Sequence, residues 1–278
     1  MSKSMGPSLL FGLLVATLQV SALVPQSPQE QTRLAIRSLK NIIASYNEDE
    51  TNKKPKRFYV DYLIPLPPET QAEDIDPWPG GLAQMYPYAE DILKEILGGI
   101  VDEAAGPCSS QVLSPQDCCG FFVQESATSP KNDVGAILFP GVDQLAKMEE
   151  IDTMVGERTL ILFNKQFQRP EDFGFASKGR ATKSIFEKYQ WGFAFQELAC
   201  RGEDVKLTYE FPTWKACVIC DEDLEAGVQR VDLLQPSKTR FVYEDLEKEI
   251  NKVLPEPLWM RKMGEVERKG FKFQRGNK

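Results

Sequence analysis

The chain is 278 residues long, with 42% hydrophobic, 27% charged and 10% aromatic residues. This composition excludes disordered, collagen-like and low-complexity classes and is ample for a sizeable core. Histidine is absent. A Ser-His-Asp triad, a Cys-His dyad, a His-ligated zinc and a haem histidine are therefore excluded, and any chemistry falls to Asp, Glu, Lys, Tyr or Cys. A formal net charge of -8 opposes nucleic-acid binding through the overall field.

Lys3, the apolar run Leu9 to Leu18 and the small-residue site Val20-Ser21-Ala22 read as a signal peptide over residues 1–22. The run is too short to span a hydrocarbon core of roughly 30 Å, and no later run is longer, so the mature chain is expected to be soluble, without a transmembrane segment. Val20-Ser21-Ala22-Leu23-Val24-Pro25 resembles the junction of bipartite plastid-targeting presequences in algae with secondary plastids. Downstream, Arg33, Arg37 and Lys40 stand among Leu34, Ile36, Leu39, Ile42 and Ile43. Residues 23–56 are therefore expected to be a transit-peptide-like segment and linker, with plastid localisation. The alternative is a secreted protein whose first mature helix is basic. Six cysteines, two of them the adjacent Cys118-Cys119, are too sparse for a disulfide scaffold of this length.

The folded domain is expected to run from Arg57 to Leu254. Phe58 to Ile64 reads as a strand stopped by Pro65, followed by a long Pro-rich loop to Pro79. Ala89, Ile92, Leu93, Ile96, Leu97 and Ile100 recur at helical spacing and end at Gly98-Gly99. Val134 to Phe139 and Thr159 to Phe163 are continuous apolar runs, as buried central strands are, with room for a helix around Val142 to Glu150 and hence a parallel crossover. A loop over Lys165 to Gly179 and a helix over Ala181 to Tyr189 are expected next. Trp191 to Cys200, Val205 to Phe211, Trp214 to Cys220 and Val228 to Leu234 read as an antiparallel series. A helix follows around Phe241 to Val253. The expected fold is α/β, a three-layer sandwich with a mixed sheet, a parallel crossover core and antiparallel C-terminal strands. Residues 255–278 form a basic tail; from Arg261 it holds seven basic and two acidic residues. Such a tail suits solvent, an acidic partner or peripheral contact with an anionic membrane.

Arg57-Phe58-Tyr59-Val60-Asp61-Tyr62, Pro65-Leu66-Pro67-Pro68-Glu69, Gly80 to Pro87, Gly135 to Gly141, Thr159 to Asn164 and Phe211-Pro212-Thr213-Trp214 together resemble the plastid-associated family catalogued as domain of unknown function 1995. The resemblance implies an α/β domain in a chloroplast. For some plant members it implies a role in accumulating photosystem II during assembly; other members are fused to an adenylate-kinase domain. It implies no catalytic residues.

Four constellations invite chemistry. Gly174 to Ala181 has the glycine spacing of a phosphate loop, with Lys178, Arg180 and Lys183 as anion contacts. The lysine and hydroxyl of a true phosphate loop are replaced by Arg180 and Ala181, so nucleotide cleavage is not expected. Cys217 and Cys220 have redox spacing, yet on a strand their side chains point to opposite faces, which suits buried inert thiols better than a regulatory disulfide. Asp61, Glu69, Asp74 and Asp76 are acids whose convergence spacing cannot show. Trp78, Tyr86 and Tyr88 either dock a partner or pin the loop. Together these readings point to a non-catalytic soluble plastid protein, without metal or cofactor, that binds a thylakoid or photosystem assembly protein. The alternative is a nucleotide- or phosphometabolite-binding domain.

Overall fold

The computed structural model describes residues 25, 27–48, 54–67, 78–101, 106–223, 228–261 and 263, with the backbone alone over 220–233. The chain divides into two compact units, residues 24–196 with 209–212, and residues 197–208 with Thr213 onward. The expectation was of a single domain.

In the larger unit the helices are α1 (Pro28–Glu48), α2 (Gly81–Ile100), α3 (Leu145–Val155) and α4 (Gly174–Ala181). The strands are β1 (Arg57–Asp61), β2 (Cys108–Ser114), β3 (Cys119–Gln124), β4 (Val134–Leu138), β5 (Thr159–Phe163) and the first part of β6 (Gln190–Cys200). The strand order is β2-β3-β4-β5-β1-β6. The strands β4, β5, β1 and β6 are parallel, while β2 and β3 run antiparallel at one edge. The parallel core follows from the apolar runs: β4 and β5 are buried along their whole length, as strands covered on both faces must be.

Alternation along the strands sorts the two faces. Tyr59, Ile137, Leu160 and Leu162 share a core with Leu145, Met148, Ile151 and Val155 of α3 and with Ala181 and Ile185. Their neighbours point the other way. Phe58 lies 5.7 Å from the Tyr46 ring of α1, and a Cβ on Gly192 would meet Leu39 of α1. Helices therefore cover both faces of the mixed sheet, the expected three-layer α/β arrangement.

Two boundaries differ from the sequence reading. First, the fold starts upstream of Arg57. The basic, amphipathic stretch expected to be a transit peptide is α1, which buries Leu34, Ala35, Ser38, Leu39 and Ile42. The Ser38 hydroxyl donates to the Gly192 carbonyl (2.5 Å) and accepts from the Phe211 amide (2.8 Å). The Thr32 and Tyr62 hydroxyls are 2.9 Å apart, and Arg37 pairs with Glu210 (2.5 Å). The amphipathicity thus arises from packing one face on the sheet. Secondly, the expected loop before Gly179 is largely helical, with α4 continuing into a π turn over Thr182–Phe186. Phe167, Phe173 and Phe186 pack edge to face with centroids 4.8–6.2 Å apart and hold this segment against the core. The hairpin β2–β3, whose outer strand is mostly exposed, was not foreseen at all.

The smaller unit contains the end of β6, most of β7 (Glu203–Glu210), β8 (Thr213–Asp223), β9 (Val228–Leu233) and α5 (Tyr243–Val253). The strands lie in that order, and β8 and β9 are antiparallel, pairing Cys217 with Leu233 and Cys220 with Arg230. Leu246 and Ile250 of α5 are buried. Trp214 bridges to Ser237 by two backbone hydrogen bonds of 2.7 and 2.9 Å, with the Arg240 guanidinium 6.0 Å from its ring. No described helix is long and apolar enough to cross a membrane.

Candidate functional site at the carboxyl edge of the sheet

Open α/β sheets place their ligands outside the carboxyl ends of the parallel strands, where the connecting loops diverge. In the larger unit this edge carries Phe139 after β4 and Asn164 after β5, both with positive φ (50° and 49°); Cys118 at the β2–β3 turn has φ 52°. Asparagine enters the left-handed region readily, but a bulky residue such as Phe139 is held there by its surroundings, and such residues gather at functional sites. The surroundings are visible. The Asn164 side chain accepts from the Tyr62 amide (2.6 Å) and donates to the Tyr62 carbonyl (2.8 Å), stitching β1 to β5 just past their ends. The Phe139 amide donates to the Phe163 carbonyl (2.9 Å).

A cleft of about 480 Å³ opens at this edge. Leu82 and Ala83 at the start of α2 form one wall; Gln116, Asp117 and Cys118 of the hairpin turn form another; Gly141 to Gln144 and Gln166 close it. Its polar groups are linked. Asp117 accepts from the Ser114 hydroxyl (2.6 Å) and from the Gln144 amide (2.7 Å), and the other end of Gln144 accepts from the Gly141 amide (2.8 Å). A Cβ on Gly141 would stand 2.8 Å from the Gln144 oxygen and push that side chain off its hydrogen bond. Pro87 inside α2 has no N–H, so the Ala83 carbonyl lacks its usual i+4 donor. The cleft thus offers amides, a backbone acceptor and the carboxylates of Asp117 and Asp143, and among the described residues no cation lines it. Such a wall suits a polar backbone or a positively charged group and repels phosphate.

The family comparison covers both units: the model for the domain of unknown function DUF1995 matches residues 25–248. The chain belongs to this family. The match begins at α1, in agreement with its place in the core. No curated protein and no solved structure matches. DUF1995 carries no assigned chemistry, so the residues must be weighed individually.

The expected anion contacts lie elsewhere, on α4 and the π turn. Arg180 Nε donates to both carboxylate oxygens of Glu149 (2.9 and 2.7 Å), and its hydrogen bonds hold Glu149 below the usual carboxylate range. Lys178 pairs with Glu171 at 2.7 Å, and Lys183 is exposed. Gly174 to Ala181 is itself helix, so no glycine loop precedes a helix N-terminus there.

The aromatic trio is divided. Tyr86 and Tyr88, two residues apart on α2, leave the helix in different directions. Trp78 packs on Tyr88 with centroids 5.5 Å apart, whereas Tyr86 turns to Phe139 (6.4 Å), a cleft residue. Burial, and then Glu90, raise the Tyr86 hydroxyl above its usual value. Tyr86 therefore backs the cleft, and Trp78 with Tyr88 flanks α2.

Cys217 is buried on β8, and burial pushes its thiol up to about 11; the Cys220 side chain lies outside the described residues. Cys119 is likewise pushed to about 12 by burial and then by Asp117. Cys108, Cys118, Cys119, Cys200 and Cys217 are all free thiols. Of the acids, Asp61 accepts from Gln196 (2.6 Å), while Glu69, Asp74 and Asp76 lie outside the described residues. Among the described residues no three metal-ligating side chains gather. Sequence reasoning missed Gln116, Asp117, Gln144 and Gln166. The one available signal was Pro140-Gly141 after a strand with Gln144 three residues on, the spacing at which a side chain caps a loop amide.

Proposed function

We propose that this DUF1995 chain is a non-catalytic binding protein that holds an extended segment of a partner protein in the carboxyl-edge cleft. The observation that carries the reading is the chain Ser114–Asp117–Gln144–Gly141, which fixes amide and carboxylate groups along a cleft that no cation among the described residues lines. The remaining acceptor sites of the Asp117 and Asp143 carboxylates suit backbone N–H groups of a peptide and a lysine or arginine on it. A plastid home, and photosystem assembly proteins at the thylakoid as partners, are part of the proposal. They are supported by the family's resemblance and by the presequence pattern before Pro25. The nucleotide reading has less support, because Arg180 and Lys178 already serve Glu149 and Glu171.

The test compares thylakoid protein capture by the wild-type chain with that by Leu82→Arg and Asp143→Lys. Both variants should lose the same co-purifying protein while keeping the wild-type melting temperature. Equal capture by all three, or saturable thermal stabilisation by a nucleotide abolished by Arg180→Glu, contradicts the reading.

A further inference from the structure

We propose that the groove beside α5 in the smaller unit is a docking site for a basic aromatic peptide, and that its occupant is the chain's own C-terminal segment, residues 264–278. The groove has a volume of about 780 Å³. One wall is the stripe Tyr243, Glu247 and Asn251, spaced four apart on α5; the other is the turn Pro257 to Trp259.

The walls are firmly placed. Arg201, at φ 56° in the β6–β7 turn, donates to the Leu254 and Pro255 carbonyls (2.9 and 3.3 Å), which fixes the chain leaving α5. Arg261 pairs with the buried Glu203 and fixes the turn after Trp259. Both arginines are thereby spent on the framework. Glu247 has no ion pair among the described residues, so a carboxylate stands unneutralised between two aromatic rims.

The rims are exposed well beyond what a folded surface usually leaves bare. Tyr243 is 53% exposed and Trp259 60%, with Val242, Met260 and Met263 beside them in sequence, so five of the ten exposed large apolar side chains among the described residues fall in these two short stretches. Aromatic rims with a carboxylate between them recognise a lysine or arginine flanked by apolar side chains.

The segment after Met263 has that chemistry. It carries five basic and two acidic residues in a chain whose net charge is -8. Alternate residues share a face of an extended peptide, so one bound that way would present Lys269, Phe271, Phe273 and Arg275 together: two aromatic residues between two cations. The six residues from Gly264 to Lys269 span up to about 20 Å, enough to return to a groove whose wall ends at Trp259. Tethering also raises the local concentration of the segment to the order of millimolar, so a weak contact is occupied within the chain.

The test measures fluorescence anisotropy of a labelled peptide of residues 264–278 added to the full chain and to a chain ending at Met263. The truncated chain should bind saturably. The full chain should bind at least tenfold more weakly, because its groove is filled. Glu247→Lys in the truncated chain should lower affinity at least tenfold, and a Lys269→Glu, Arg275→Glu peptide should recover much of that loss, a charge swap that misfolding cannot imitate. Equal binding by full and truncated chains overturns the proposal, as does indifference to Glu247→Lys. Flotation with phosphatidylglycerol vesicles that needs residues 264–278, without peptide binding, overturns it in favour of a lipid surface.

Discussion

Arg57 at the start of β1 and Asp152 near the end of α3 are joined through a guanidinium all of whose N–H groups find acceptors. Nε donates to the Asp152 carboxylate, one terminal nitrogen to the Lys56 and Arg158 carbonyls (3.2 and 2.7 Å), and the other to the Asp152 and Gly156 carbonyls (3.2 and 2.6 Å). Arg57 is 1% exposed, so these bonds replace its water entirely. The same group caps the final carbonyls of α3, where the helix dipole favours a cation. One residue thus locks the central strand to the helix whose opposite end borders the cleft.

Breaking this lock should be costly. Arg57→Ala leaves a partly buried carboxylate and several carbonyls unmatched, and should destabilise the chain by about 3–5 kcal/mol. Arg57→Lys should recover little, since an ammonium cannot replace the planar fork. Urea unfolding of the three proteins measures this.

The lock also has a pH signature. Burial pushes the Asp152 carboxyl up, but hydrogen bonds from Lys188 and Arg57 outweigh it and leave the group below its usual value. A depressed carboxylate contributes its full stability above the unfolded value, near pH 4, and loses it as pH falls through the folded value. The stability gap between wild type and Asp152→Asn should therefore be constant from pH 7 to about 5 and shrink toward pH 2.5. A gap that does not change over that range contradicts the ion-pair account.

Helix α1 sets a limit on processing. Leu39 is wholly buried, and Leu39→Ala should cost about 2–4 kcal/mol. Removing residues up to Glu48 should leave no cooperative unfolding transition. Any targeting peptidase must then cut before Pro28, and N-terminal sequencing of the mature protein should find residues 28–48 retained. A mature protein beginning near Arg57 would contradict the place of α1 in the fold.

The thiols should separate by environment. With their thiols raised to about 12 and 11, Cys119 and Cys217 should resist alkylation at pH 8 until the chain unfolds. The half-buried Cys118 should react first. Mass spectrometry after timed alkylation checks the order; early labelling of Cys217 would revive the thiol-switch reading.

The elements that the sequence revealed are those whose pattern has one cause. The continuous runs of β4 and β5 and the stripe of α2 are dictated by burial, and each stands where its pattern put it. Helix α1 has the same stripe, but its basic outer face also fits a targeting peptide, and its packing on the sheet shows only in contacts such as those of Ser38 with Gly192 and Phe211. The hairpin β2–β3 escaped notice because Ser109 to Val112 are all exposed and show no alternation. The cleft was illegible for a different reason. Gln116, Gln144 and Gln166 carry no distinctive chemistry, and their meeting depends on β2, β3, β4 and β5 lying side by side, an order that local pattern does not contain.

The internal support of the cleft should matter more to binding than to stability. Gln144→Ala removes the acceptor for Gly141 and one donor to Asp117, and should cost about 1–2 kcal/mol of stability while weakening partner capture severalfold. Denaturation and capture on the same preparation measure the two effects.

The central claim is tested most directly by site-resolved photo-crosslinking within plastids, with the reactive group placed in turn at Gln116, at Leu82 and, as a remote control, at the fully exposed Phe175. The account expects one thylakoid protein to be trapped at Gln116 and Leu82 and absent at Phe175. Equal trapping at all three positions, or none at Gln116 and Leu82 in a chain that reaches the plastid, would contradict a partner-binding cleft.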